Sequence, residues 1–120
     1  MRELRPFVET VIDKLMTAPP SERSRLEGVL RVTQLDLEYL AGQARKGRGI
    51  AETLATQSLL VESIELGYQS LEEVLDYLED NDITHLLRAA ELVQTSDDVL
   101  QSVRALIEAN KTQLSQHSMI

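Results

Sequence analysis

Between residues 26 and 78 of this 120-residue chain, apolar side chains return at almost every third or fourth position. Leu26, Leu30, Thr33, Leu37, Leu40 and Ala44 form one series, with steps of 4, 3, 4, 3 and 4. Leu54, Gln57, Val61, Ile64, Tyr68, Leu71, Leu75 and Leu78 form another, with steps that alternate between 3 and 4. A side chain returns to the same side of an α-helix after 3.6 residues and to the same side of a strand after two, so both runs predict helices. Alternating steps of 3 and 4 are also the heptad spacing with which one helix packs along another.

The same period extends to both ends. Leu4, Val8, Val11 and Leu15, flanked by Phe7 and Ile12, predict a first helix over residues 3 to 17, which "APPS" ends because proline cannot continue the hydrogen-bond ladder. Ser21 is placed to cap a second helix reaching about residue 46, and a third is expected from about 49 to 79. After the polar turn "EDNDIT", Leu86, Ala90, Val93, Leu100, Val103, Ile107, Asn110 and Leu114 predict a fourth helix from 83 to about 113. Within it "TSDD" at 95 to 98 offers a break at Ser96; one long helix is the reading adopted.

If "KGRG" at 46 to 49 closes a hairpin, the second and third stripes meet as Leu26 with Leu71, Leu30 with Tyr68 and Leu37 with Val61. Around the next corner Leu71 meets Val93, Ile64 meets Leu100, and Tyr68 lies opposite Asp97. The expected fold is therefore all-α: an antiparallel four-helix bundle with one short N-terminal helix and three long helices in coiled-coil-like packing. It forms a single domain over residues 1–120, with about 115–120 as a flexible tail. The first helix covers only half the length of the long hairpin, so a homodimer is expected to cover the rest.

Composition narrows the function. The chain has no cysteine, which fits a cytoplasmic protein and removes thiolate chemistry. Residues 1–48 hold nine Lys/Arg and seven Asp/Glu, a balance of +2; residues 49–120 hold three and thirteen, a balance of −10. A net charge of −8 repels phosphate backbones and anionic lipid, so neither nucleic acid nor membrane is an expected partner.

Specific chemistry has few carriers. Arg45, Lys46 and Arg48 surround two glycines, but the strand context and lysine position of a phosphate-binding loop are missing; a helix end carrying cations is the simpler reading, and an anion-binding regulator the alternative. No Glu-x-x-His occurs, so no di-iron site, metal or cofactor is expected. His85 in a helical chain of this size resembles histidine phosphotransfer domains, whose phosphorylated His is followed three residues later by Lys and then Gly; "HLLRA" has Arg88 and Ala89 there. That resemblance implies a second alternative, a small phosphorelay enzyme. Gln57 and Thr33, polar on apolar stripes, are expected to set helix register.

Glu72, Glu73, Asp76, Glu79 and Asp80 form an acidic run on the third helix, either a solvated face or a docking surface for a basic partner. The expected function is a non-catalytic protein–protein interaction module, such as an adaptor, small chaperone or assembly subunit. It would bind a protein partner through heptad faces and this acidic surface.

Overall fold

The computed structural model describes residues 4–17, 20–46 and 54–118, which form four helices in an elongated bundle of 63 × 22 × 18 Å. They are α1 (Leu4–Thr17), α2 (Pro20–Arg45), α3 (Leu54–Asp80) and α4 (Ile83–Ser118). Among the described residues there is no strand, and no helix is long and apolar enough to cross a membrane. Helix α3 is the axis of the assembly: α4 packs along one side of it, α2 along another, and α1 lies against α4 and α3.

α1 forms as the periodicity predicts. Leu4, Val8, Val11 and Leu15 are buried, and Phe7 and Ile12 pack against the core from its edge. α2 begins at Pro20, so Ser21 lies in its first turn and not at its cap. Proline suits a first-turn position, where its missing N–H has no carbonyl to reach and its fixed φ already matches the helix. Gly47, Arg48 and the rest of the segment to residue 53 lie outside the described residues.

The buried stripe of α2 departs from the expected one at two positions. Leu26, Leu30, Leu37 and Ala44 are buried, but Gln34 and Ala41 are buried where Thr33 and Leu40 were expected. A straight helix of 3.6 residues per turn drifts off a 3.5-residue repeat, which rotates the contact line round the helix. Thr33 turns its hydroxyl back to the Val29 carbonyl of its own helix.

The α2–α3 register also differs. Gln34 donates to Glu72 at 2.7 Å, Arg23 donates to Asn81 at 2.6 Å, and Leu37 approaches Gly67. Partners on α3 fall in number as those on α2 rise, but each lies six to nine residues beyond the one expected. The Tyr68 phenol, its pKa raised by burial, lies near enough to Glu38 for that carboxylate to raise it further, and Glu38 is eight residues past the Leu30 assigned to it. A slip of about one heptad preserves the match of apolar faces, so leucine spacing alone does not distinguish the two registers.

Between α3 and α4 a different stripe governs. Ser63 and Ser96 each donate a hydroxyl to the other's backbone carbonyl, at 2.8 and 2.6 Å, and Ser70 donates to the Ala89 carbonyl at 2.7 Å. The leucine register assigns residue 101 to Ser63; the observed partner comes five residues earlier. Thr56, Ser63 and Ser70 on α3 and Ala89, Ser96 and Val103 on α4 are all buried at heptad spacing, and their small side chains let the backbones approach closely. Ser96 therefore bonds across the seam and does not cap a new helix, and α4 runs unbroken through "TSDD" to Ser118.

Gly67 is the crossing point. A Cβ built there meets a methyl of Leu4 from α1 and lies 3.6 Å from Ser96 Oγ on α4 and 3.7 Å from Leu37 Cδ1 on α2. Side chains of three helices thus converge on the space this glycine leaves.

Candidate functional site

The densest polar grouping lies at the corner between α3 and α4, and the chain makes it with two residues. Asn81 takes a left-handed conformation with φ of 58°, and its N–H donates to the Tyr77 carbonyl at 2.7 Å, closing α3. Asp82 then caps α4: its carboxylate accepts from the Thr84 N–H at 3.0 Å and from the Thr84 hydroxyl at 2.8 Å. Asp80 accepts from the Asp82 N–H at 2.9 Å. From α2, Arg23 reaches Asn81 and stacks over the Tyr77 ring, 5.5 Å from its centroid.

This corner swings His85 back against the acidic end of α3. Its Nδ1 is 2.6 Å from a Glu73 carboxylate oxygen and its Nε2 is 2.9 Å from one of Asp80. The hydrogen bond to Glu73 and then that to Asp80 raise the imidazole pKa above its ordinary value, with burial working the other way. The Asp80 carboxyl is held below its usual range, first by the Asp82 backbone N–H and then by His85. Asp82 is lowered chiefly by the Thr84 N–H.

Of the five acidic residues singled out from the sequence, three have internal partners: Glu72 accepts from Gln34, and Glu73 and Asp80 hold His85. Asp76 brings a carboxylate oxygen within 4.8 Å of the ligand atoms of Glu73 and His85. One imidazole nitrogen and two carboxylates, with Asp80 orienting the ring from behind, form a donor set that suits a divalent cation of the zinc type. A cation on Nδ1 would replace the bond to Glu73. Glu79 stands exposed beside the group.

Elsewhere, Arg45 pairs with Glu65 at 2.5 Å, so one of the three cations of the proposed anion turn is already matched; Lys46 is exposed, and Arg48 lies outside the described residues. Gln57 donates to the carbonyls of Ala44 and Arg45 at 2.6 and 2.9 Å. It thus satisfies two acceptors left open at the end of α2 and joins α3 to that end. The expected Tyr68–Asp97 contact is replaced: Asp97 pairs with Arg5 at 3.4 Å, while burial, and then the Glu38 carboxylate, raises the Tyr68 phenol pKa.

Sequence reasoning missed Gln34 and the hub at His85. Gln34 is 6% exposed, and this buried polar side chain of α2 donates across to Glu72 of α3. His85 lies 12 residues from Glu73 and five from Asp80, separations that no helical period marks; only the tight Asn81–Asp82 corner joins them. The available signal was Asp82 two residues before Thr84, which marks a helix start immediately after an acidic helix end.

A second surface is apolar. Val32, Leu35 and Tyr39 on α2 are 59%, 65% and 67% exposed, on the side turned away from α3, with Val29 and Leu40 exposed at its margin. No protein-family model matches this chain, and neither a curated protein nor a solved structure shows significant similarity to it.

Proposed function

We propose that this chain is a non-catalytic protein–protein interaction module, an adaptor or assembly subunit that binds other helices through a heptad face its own fold leaves open. The observation that carries this reading is the outer side of α2. A helix whose inner stripe already packs on α3 also presents Val32, Leu35 and Tyr39 to solvent at heptad steps of 3 and 4. Contiguous exposed apolar surface of this kind marks interaction sites. The bundle is read as antiparallel with coiled-coil-like packing because partner numbers fall along one helix as they rise along its neighbour. A cytoplasmic setting agrees with a chain that carries no cysteine.

The acidic surface serves as a second contact for a basic partner, through Asp76 and Glu79 in particular, since Glu72, Glu73 and Asp80 are engaged within the fold. The test is affinity purification of the tagged chain from its native cells, beside a Leu35→Glu/Tyr39→Glu variant of equal helicity. The module reading expects a stoichiometric protein, another copy of the chain included, that the variant loses. Nothing stoichiometric on either bait, or equal capture by both, contradicts it.

A further inference from the structure

We infer that the open face of α2 pairs with the same face of a second copy of this chain, antiparallel, about a twofold axis at Leu35. This rests on the interaction-module reading and names the partner. Gly28, Val32, Leu35, Tyr39 and Gly42 follow one another at steps of 4, 3, 4 and 3, which is a complete heptad stripe on the side of α2 opposite Leu26, Leu30, Gln34, Leu37 and Ala41.

The stripe is close to its own mirror image in sequence. Gly28 and Gly42 stand seven residues either side of Leu35, and Val32 and Tyr39 stand three and four away. Antiparallel pairing on Leu35 therefore sets Leu35 against Leu35 of the second copy, Val32 against Tyr39, and Gly28 against Gly42. Nothing lies within 4 Å of a Cβ built on either glycine, so both positions are open notches. Around Gly28 the hollow lined by Arg25, Val29, Val32 and Thr33 has a volume of about 430 Å³ and lies where the Tyr39 ring of the second copy arrives. A parallel pair would stack ring on ring and leave the notches empty.

Charge favours this arrangement on one flank of the stripe, and the cost falls on the other flank and at the ends, where Asp36 meets Asp36 of the second copy and Arg25 meets Lys46. Arg31 and Glu38 are seven residues apart and so share one flank of the stripe, and in an antiparallel pair the same flanks meet. Arg31, which bonds Glu27 within its own helix, then also approaches Glu38 of the other copy, beside Tyr68. An interface that brings a residue against its own symmetry mate is the isologous contact from which closed dimers are built.

The experiment is sedimentation equilibrium on the full chain from about 5 to about 500 µM, a range that reaches weak interfaces of small area. The native chain should approach twice its 13.5 kDa mass. Leu35→Glu and Gly28→Leu should each weaken association about tenfold or more, by burying a charge and by filling a notch. Gly28→Leu should also raise the thermal stability of the monomer, because leucine favours a helix over glycine. Arg31→Glu should weaken pairing, and Arg31→Glu with Glu38→Arg should restore it. A native chain that stays monomeric, or a dimer that Leu35→Glu and the single Arg31→Glu leave unchanged, overturns the proposal. If the monomeric chain still captures a different protein that Leu35→Glu releases, the module stands and self-pairing fails; if it captures nothing, both fail.

Discussion

Ser63 and Ser96 hold each other's backbone: each hydroxyl donates to the carbonyl of the other residue, at 2.8 and 2.6 Å, with both side chains buried. Such reciprocity requires the two residues to stand directly opposite each other. It fixes the α3–α4 register more tightly than leucines, which accept neighbours over a wider range of distance and direction.

Because the two bonds share one seam, their energies should not add. Ser63→Ala or Ser96→Ala should each cost about 0.5 to 1.5 kcal/mol, the net worth of one hydrogen bond, since the carbonyl that loses the hydroxyl keeps the N–H of its own helix. The double variant should fall short of the sum of the two. Ser70→Leu should cost at least as much by forcing the backbones apart, about 1 to 3 kcal/mol or more. Urea unfolding of the four proteins measures each of these.

Gly67 separates two opposing effects. Alanine there should gain about 0.5 to 1 kcal/mol of helix preference but must displace the methyl of Leu4, the free end of a flexible side chain. Gly67→Ala is therefore expected near neutral, and Gly67→Leu strongly destabilising through Ser96 and Leu37. Thermal melts decide it: a Gly67→Leu protein as stable as the native chain would contradict the convergence of three helices on this position.

The core should respond in proportion to burial. Leu30 and Leu71 are fully buried, so alanine at either should cost about 2 to 5 kcal/mol. Leu87, 61% exposed, should change stability by no more than about 0.5 kcal/mol on the same replacement. Equal costs at Leu30 and Leu87 in denaturant titrations would refute the packing described.

The corner should make stability depend on pH in two directions. The folded pKa of His85 is raised above its ordinary 6.5, so the bridge it forms as imidazolium between Glu73 and Asp80 stabilises the fold fully below that value and is lost as pH rises through the raised one. Asp80 and Asp82 have lowered values, so their contribution is present above the ordinary 3.8 and disappears as pH falls through the lowered ones. Urea midpoints should peak between pH 4 and 6.5 and decline on both sides. His85→Gln should flatten the decline at higher pH and leave the acid limb in place. A decline that persists in His85→Gln would assign it to another group.

The helical class, the four elements and the stripe of α1 were legible because apolar period reports directly which side of a helix is buried. Register was not, because α3 carries two heptad stripes. Leu71 and Leu75 announce themselves by hydrophobicity, whereas Ser63 and Ser70 look ordinary until a carbonyl of α4 lies within reach. The acidic run illustrates the same limit. Sequence spacing puts Glu73 on a helix surface, but its role beside His85 depends on a two-residue corner that reverses the chain. Gln34 was passed over for Thr33 because a heptad count puts Thr33 on the stripe, one position away, and the drift of a real helix brings Gln34 there.

The most direct test of the self-pairing face uses the absence of native cysteine. Leu35→Cys places a single thiol on the inferred twofold axis, and Leu87→Cys places one at a similarly exposed leucine on α4. Disulfides form readily only where the two Cα atoms approach to about 4.4 to 6.8 Å. Under mild oxidation the account predicts rapid conversion of the Leu35→Cys protein to a covalent dimer while the Leu87→Cys protein remains largely monomeric. Equal, slow cross-linking of the two would contradict it.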